Sequence, residues 1–306
     1  MHVNEKRVAE IATLLKAKAP ARFYDFSVEI PSATDPEVIA NYVGAVVALD
    51  YGFWRINNKT FEVDFYPLSG QKVKGSTFLW SKSKPLLTEK PAFFTAQHLQ
   101  NLSEEDYVQW LSDDSGNVPF KDASIRLKLI RNYGQILASI GGSLHQIYCA
   151  DHSLANILTT MEKFEAYRDF PLYKKAHLLC KILQRIKQWM VIESPLYPKI
   201  PPIDYHLMNL AWKLGLVEIT LDLEELFTAY APLPSIVELT FRLRCADAYL
   251  QMSKLSGIDA YNIDDIMWME SRKNCQLTPY CCSECLFNTV CQKNKQGFPV
   301  INTYRY

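Results

Sequence analysis

Residues 201–218 read PPIDYHLMNLAWKLGLVE. Apolar residues recur at helical spacing from Ile203 to Leu214, and Asp204 stands at the head, where a carboxylate accepts hydrogen bonds from free N–H groups. The pattern predicts a helix over 204–214. Just upstream, SPLYPKIPP at 194–202 holds four prolines, which fix φ and disfavour helix, so the chain is expected to reach Asp204 along an extended loop. Outward from this point the helical period persists over 98–112, 122–139, 152–160 and 173–191 before the loop, and over 221–230, 235–256 and 259–270 after it. The bulk of the chain therefore reads as all-α. Nearer the start, 5–18 and 36–49 are also helical in pattern, the second containing VIANYVGAVVALD, whose small residues permit close helix contact. Between 51 and 81 the texture changes. YGFWRI, TFEVDFYPL and KGSTFLWS are rich in aromatic and β-branched residues and are punctuated by NN, SG and KG, which predicts a hairpin or three-stranded β element.

Composition narrows the function classes. At 306 residues with 48% apolar side chains, the chain can build a large core, and it shows no internal repeat or low-complexity tract. Thirty-three basic residues cancel thirty-three acidic ones, so the electrostatic footprint of a protein that grips a long stretch of nucleic acid is missing. A small-molecule partner fits better. The opening MHVNEKRVAEIATLL has no apolar signal-peptide core, and no later apolar run approaches the roughly 20 residues of a membrane span, so a cytoplasmic protein without membrane partners is expected.

Eight cysteines without a signal peptide read as buried thiols plus a metal site rather than a disulfide framework. Cys149, Cys180 and Cys245 sit singly in helical patterns, where packing is the expected role. The spacing Cys275-x6-Cys282-x2-Cys285-x5-Cys291 instead places four thiols in one short loop, with Pro279 helping the turn. All-thiolate coordination selects soft metals, and both a 4Fe–4S iron–sulfur cluster and zinc suit it. Cys281 stands beside this set and is left out of it.

The same spacing, following the helix in IDDIMWMESRKNC (263–275), resembles the iron–sulfur loop of base-excision glycosylases of the helix-hairpin-helix superfamily, which favours the iron–sulfur cluster over zinc and the register that omits Cys281. Asp204 at the head of its helix resembles the aspartate those enzymes place upstream of the cluster. Where they carry a glycine-containing hairpin against a DNA phosphate, FPLYKKAHLL (170–179) has no glycine, and close backbone approach to a phosphate is what glycine permits. With zero net charge, this argues against duplex DNA.

A closer resemblance runs from about residue 36 to 270. ALDYGFW, LKLIRNYGQILASIGGSL, LYKKAHLL, IDYHLMNLAWKLG, VELTFRLRCADAYL and IDDIMW occur in the order found in the queuosine salvage protein family, the queuosine 5′-phosphate N-glycosylases. The resemblance implies a mainly α, helix-hairpin-helix glycosylase-like fold with a small N-terminal β element, to which this chain adds the C-terminal iron–sulfur loop. It implies hydrolysis of a modified nucleoside monophosphate to release the 7-deazaguanine base queuine, with Asp204 as nucleophile or transition-state stabiliser. The corresponding organisation is residues 1–97 as N-terminal helices plus the β element, 98–270 as the glycosylase-like helical domain, and 271–306 as the cluster loop and tail, all in one compact unit. The chain departs from the family at Pro202, where an aromatic is usual, and at Met269, where an acid contacts the base.

Breaking an N-glycosidic bond builds oxocarbenium character on the sugar, and a carboxylate held about 3 Å beneath the anomeric carbon stabilises that charge or attacks it. Asp204 is the candidate; its bland alternative is a helix cap. Lys174 and Lys175 are candidates for a 5′-phosphate, the alternative being a solvated helix face. Asp264 and Asp265 can accept hydrogen bonds from a base, the alternative being a helix-capping pair. Phe53 and Trp54 can stack on a flat base or anchor a hairpin core. His206 reads as a surface residue. Two rival functions stay open: a DNA base-excision glycosylase of the same superfamily, and a non-catalytic nucleobase- or nucleic-acid-binding protein. Oligomeric state is not legible.

Overall fold

The computed structural model describes residues 1–19, 23–26, 30, 35–57, 60–228, 232–275 and 282–292. In chain order the elements are β1 (His2–Val3), α1 (Glu5–Lys18), α2 (Pro36–Leu49), β2 (Trp54–Asn57), β3 (Thr60–Val63), β4 (Phe65–Leu68), β5 (Gln71–Lys74), α3 (Gly75–Glu89), α4 (Ala96–Gln100), α5 (Glu104–Leu111), α6 (Ala123–Ser139), α7 (Leu144–Ala150), α8 (Leu154–Met161), α9 (Lys174–Arg185), α10 (Tyr205–Leu214), β6 (Val217–Glu218), α11 (Leu221–Thr228), α12 (Ser235–Ser256) and α13 (Ala260–Glu270). Most of the described residues are helical and the strands are short, so the expected mainly α class holds. No helix among the described residues is long and apolar enough to cross a membrane.

The chain packs into two compact units, residues 1–24, 56–62 and 199–303 in one, and 25–55, 63–198 and 304–306 in the other. It passes from the second to the first inside the proline-rich segment 194–202.

The 25–198 unit is built on α2. Asp35 caps this helix by accepting from Glu37 N at 2.7 Å, Pro36 starts it, and every residue from Ile39 to Leu49 is buried. Gly44 explains how so large a buried surface fits: a Cβ there would stand 2.2 Å from Tyr133 Oη and 2.8 Å from Leu144 Cδ1. Tyr133 of α6 instead donates to Asn41 O at 3.2 Å, and Tyr167 donates to Gly44 O itself at 2.6 Å. The close contact expected of the small residues in α2 is therefore made.

In place of one hairpin or three-stranded element, this stretch holds two two-stranded sheets. β2 pairs with β3, and β4 with β5 in an antiparallel hairpin from Phe65↔Lys74 to Leu68↔Gln71. Its turn, at the SG pair, is pinned by Asp114, whose carboxylate accepts from Ser69 N at 2.8 Å and Gly70 N at 2.9 Å. The NN turn involves Asn58, which lies outside the described residues. KGSTFLWS is not a strand: only Lys74 belongs to β5, and Gly75 opens α3. Its aromatic composition imitated a strand, but Phe78, Leu79, Ser83 and Leu87 form a buried helical stripe. The helix expected over 98–112 is also broken, because Ser103 caps a separate α5 by accepting from Asp106 N at 2.9 Å.

In the other unit, α1 and α10 pack on α12, and α13 packs on both α10 and α12. β1 and β6 form a short antiparallel pair, His2↔Glu218 and Val3↔Val217.

Candidate functional site

Asp204 enters α10 with extended backbone, φ −119° and ψ −174°, as the proline-rich approach requires. Its Oδ1 accepts from His206 N at 2.9 Å and Leu207 N at 3.1 Å, so Asp204 caps the helix. Capping does not exclude chemistry. It fixes the carboxylate in one pose at the positive end of the helix dipole, and the residue is only 8% exposed. The preceding turn is held from α12, where buried Arg242 donates to Ile203 O at 3.2 Å and lies 3.7 Å from Glu238.

Asp264 and Asp265 are buried in the first half of α13. They do not form the capping pair considered from the sequence, because Asp259 takes that role by accepting from Tyr261 N at 2.9 Å. Asp259 also faces Lys199 at 3.7 Å. Tyr249 of α12 links the two carboxylate-bearing helices. Its hydroxyl donates to Leu207 O at 2.8 Å, and burial pushes the phenol well above its usual range, with Cys245, Asp204 and Asp264 adding to the rise.

Beside them is a ring cluster that the sequence did not reveal. Tyr205 and His206 have centroids 4.1 Å apart, His206 and Trp268 6.0 Å, and Trp268 and Tyr24 6.0 Å, with the Arg272 guanidinium 4.7 Å over Trp268. These residues come from three distant segments, and the packing of α10 on α13 brings Tyr205 and His206 to Trp268. His206 is buried rather than on the surface, because the contact with Trp268 covers it.

The other sequence-derived candidates lie in the 25–198 unit. Phe53 is buried, 5.9 Å from Phe120 and 5.1 Å from the Arg126 guanidinium, and it fills the space where a Cβ on Gly75 would stand. Trp54 is half-buried at the start of β2. Lys174 and Lys175 are both buried, so they are not a solvated face. The Lys175 ammonium donates to Ala48 O at 2.9 Å and sits 4.2 Å over the Tyr51 ring. Burial lowers its proton affinity well below the ordinary lysine range, and the positive charges of Lys174 and Arg126 lower it further. Arg126 bonds Asp122 at 2.7 Å, Tyr51 O at 2.6 Å and the carbonyl of Leu49. Lys175 and Arg126 therefore both converge on the C-terminal end of α2, where the helix dipole is negative. Lys174 opens α9, its backbone N donating to Asp169 Oδ2 at 3.1 Å, and no side chain caps the first turn of α9 in the usual way.

The four cysteines occupy the segment after α13. Cys275, Cys282, Cys285 and Cys291 are half-buried free thiols, and Cys281 lies outside the described residues. Cys275 is in electrostatic reach of Cys282, Cys285 and Cys291. Phe287 N donates to Cys285 Sγ at 3.4 Å, the kind of bond that orients a metal-ligating sulfur. Burial raises the Cys275 thiol to about 11 and the Cys285 thiol to about 12. Among the described residues, no three His, Cys, Asp or Glu side chains are gathered tightly enough to hold one metal ion.

A mainly helical protein with buried carboxylates held at a helix start, beside half-buried rings, has the groups needed to handle a small organic ligand. The chain belongs to the queuosine salvage protein family, whose model matches residues 30–189, a little over half of its length. This gives it a role in queuosine salvage. The match includes Phe53, Trp54, Lys174 and Lys175 and ends before Asp204. No curated protein matches the chain.

Proposed function

We propose that the protein is an N-glycosyl hydrolase that cleaves queuosine 5′-phosphate, or a closely related 7-deazaguanine nucleotide, to the free base queuine and ribose 5-phosphate, on a helix-hairpin-helix glycosylase-like fold. The observation that carries the reading is Asp204, a nearly buried carboxylate fixed by two backbone N–H groups at a helix start, in a chain of the queuosine salvage family.

In this reading the carboxylate of Asp204 stabilises or attacks the anomeric carbon as the bond to the base lengthens. Water supplies the hydroxyl that remains on C1′ and the proton that leaves with the base. Asp264 and Asp265, in the same unit as Asp204, are the candidates to accept hydrogen bonds from the base.

Cys275, Cys282, Cys285 and Cys291 would hold a 4Fe–4S cluster, with zinc as the alternative. Such a centre supplies a cross-link that closes a chain segment on itself, and the hydrolysis needs no electron transfer from it. Thiol protons must leave on binding, so metal affinity rises with pH.

The test is incubation of anaerobically purified protein with queuosine 5′-phosphate, unmodified nucleotides and a lesion-containing duplex, scoring released base. Release from queuosine 5′-phosphate alone supports the proposal. Release only from the duplex replaces it with base-excision repair, and no release from any of them overturns the enzymatic reading.

A further inference from the structure

Glu238, Arg242, Cys245 and Tyr249 recur at helical spacing along α12, so one face of that helix carries all four. Two of them reach the backbone around Asp204. Buried Arg242 donates through Nη2 to Ile203 O at 3.2 Å, with Glu238 one turn earlier as its ion partner at 3.7 Å. Two turns further along, buried Tyr249 donates through its hydroxyl to Leu207 O at 2.8 Å. Both carbonyls bear on the aspartate. The Ile203 carbonyl belongs to the peptide plane that carries Asp204 N, so fixing its oxygen fixes the direction from which Asp204 enters its φ of −119° and ψ of −174°. Leu207 supplies one of the two N–H groups that hold Asp204 Oδ1, at 3.1 Å, and the Tyr249 hydroxyl grips that same residue by its carbonyl. Helix α12 therefore holds Asp204 from both sides, through the peptide in front of it and through a residue that caps against it.

A carboxylate that acts on an anomeric carbon has little positional freedom, because a shift of about 1 Å costs on the order of 10²-fold in rate. We infer that Arg242 and Tyr249 are positioning residues for the hydrolysis, and that they act through Asp204 by setting where its carboxylate stands. The inference deepens the proposed glycosyl hydrolysis and rests on it. Its signature differs from that of residues that merely support the fold. Lost stability changes how much of the protein is native, whereas a displaced carboxylate slows bond cleavage in protein that is native and binds nucleotide normally, so kcat falls and KM does not move. Residues that act through a third also stop mattering once the third has lost its chemistry, while independent contributions keep adding.

The experiment measures kcat and KM for queuosine 5′-phosphate in anaerobically purified wild type, Arg242→Met, Tyr249→Phe and Asp204→Asn, and in the two double variants that join each α12 change to Asp204→Asn. Melting temperatures are taken for all six, and turnover is read well below the lowest of them. Arg242→Met should lower kcat about 10²-fold with KM unchanged. Tyr249→Phe, which removes a single oxygen, should lower kcat by less, again with KM unchanged. Neither change should lower kcat further once Asp204 is asparagine. A rise in KM with kcat intact, or the same fold-loss in kcat with and without the Asp204 carboxylate, overturns the inference and leaves the hydrolase reading standing. Full kcat in either single variant does the same. Wild type that releases no base from queuosine 5′-phosphate overturns the hydrolase reading and this inference with it. Where Arg242→Met fails to fold, Tyr249→Phe and its double variant carry the same comparison.

Discussion

Asp204→Asn and Asp204→Ala separate the two roles that one carboxylate holds. As a cap, Asp204 accepts from two backbone N–H groups through Oδ1, an acceptor that asparagine keeps and alanine removes. Losing such a cap costs about 0.5–2 kcal/mol, whereas exchanging the charged form for the amide forfeits chiefly its attraction to the helix N-terminus, about 0.3–1 kcal/mol. Asp204→Ala should therefore be the less stable variant, with a melting temperature lower by about 2–4 °C for each kcal/mol lost. Catalysis should follow a different order. An amide cannot balance an oxocarbenium charge, so both variants should lose turnover by about 10²-fold or more, a barrier increase of at least about 2.7 kcal/mol. Thermal melts, turnover of queuosine 5′-phosphate and equilibrium binding of the same nucleotide measure the three quantities. Asp204→Asn turning over at the wild-type rate refutes the carboxylate's chemical role. Asp204→Asn melting as low as Asp204→Ala refutes the neutral-acceptor account of the cap.

Gly44→Ala places a methyl 2.2 Å from Tyr133 Oη and should destabilise by about 1–3 kcal/mol in denaturant titration, with part of the loss recovered on adding Tyr133→Phe. His177 is buried, and burial depresses it from 6.5 to about 3, so the unfolded chain binds the extra proton between those values. Its contribution is complete above pH 6.5 and is lost as pH falls toward 3, at up to about 1.4 kcal/mol per pH unit; His177→Leu should flatten that limb of the stability curve.

The legible parts of this fold are those whose signals are local. The 235–256 period becomes α12 over the same residues, and the four prolines before Asp204 marked both the extended approach and the helix start. KGSTFLWS misled because aromatic and β-branched content reports a half-buried surface, which a helix also presents when its neighbours cover it. The adjacent lysines of α9 looked like a solvated face because two neighbouring charges carry no trace of what folds over them. Their burial follows from α2, about 130 residues upstream, whose carbonyl end receives Lys175. The ring cluster of Tyr24, Tyr205, His206 and Trp268 left no local pattern at all, since each ring lies in a segment that reads sensibly by itself.

Family membership and the proposed chemistry rest on different parts of the chain, and this decides what each experiment reports. The matched residues, 30–189, hold Phe53, Trp54, Lys174 and Lys175. Every carboxylate assigned to bond cleavage or base recognition lies beyond residue 200, where Asp204 takes its pose from an arginine on α12, a tyrosine hydroxyl on the same helix and a stiff approach. That pose is built from backbone and buried side chains rather than from surface loops. The cysteine segment closes the far end of the same helix. The Asp204 cap and the cysteine segment therefore hold the two ends of one ten-residue helix.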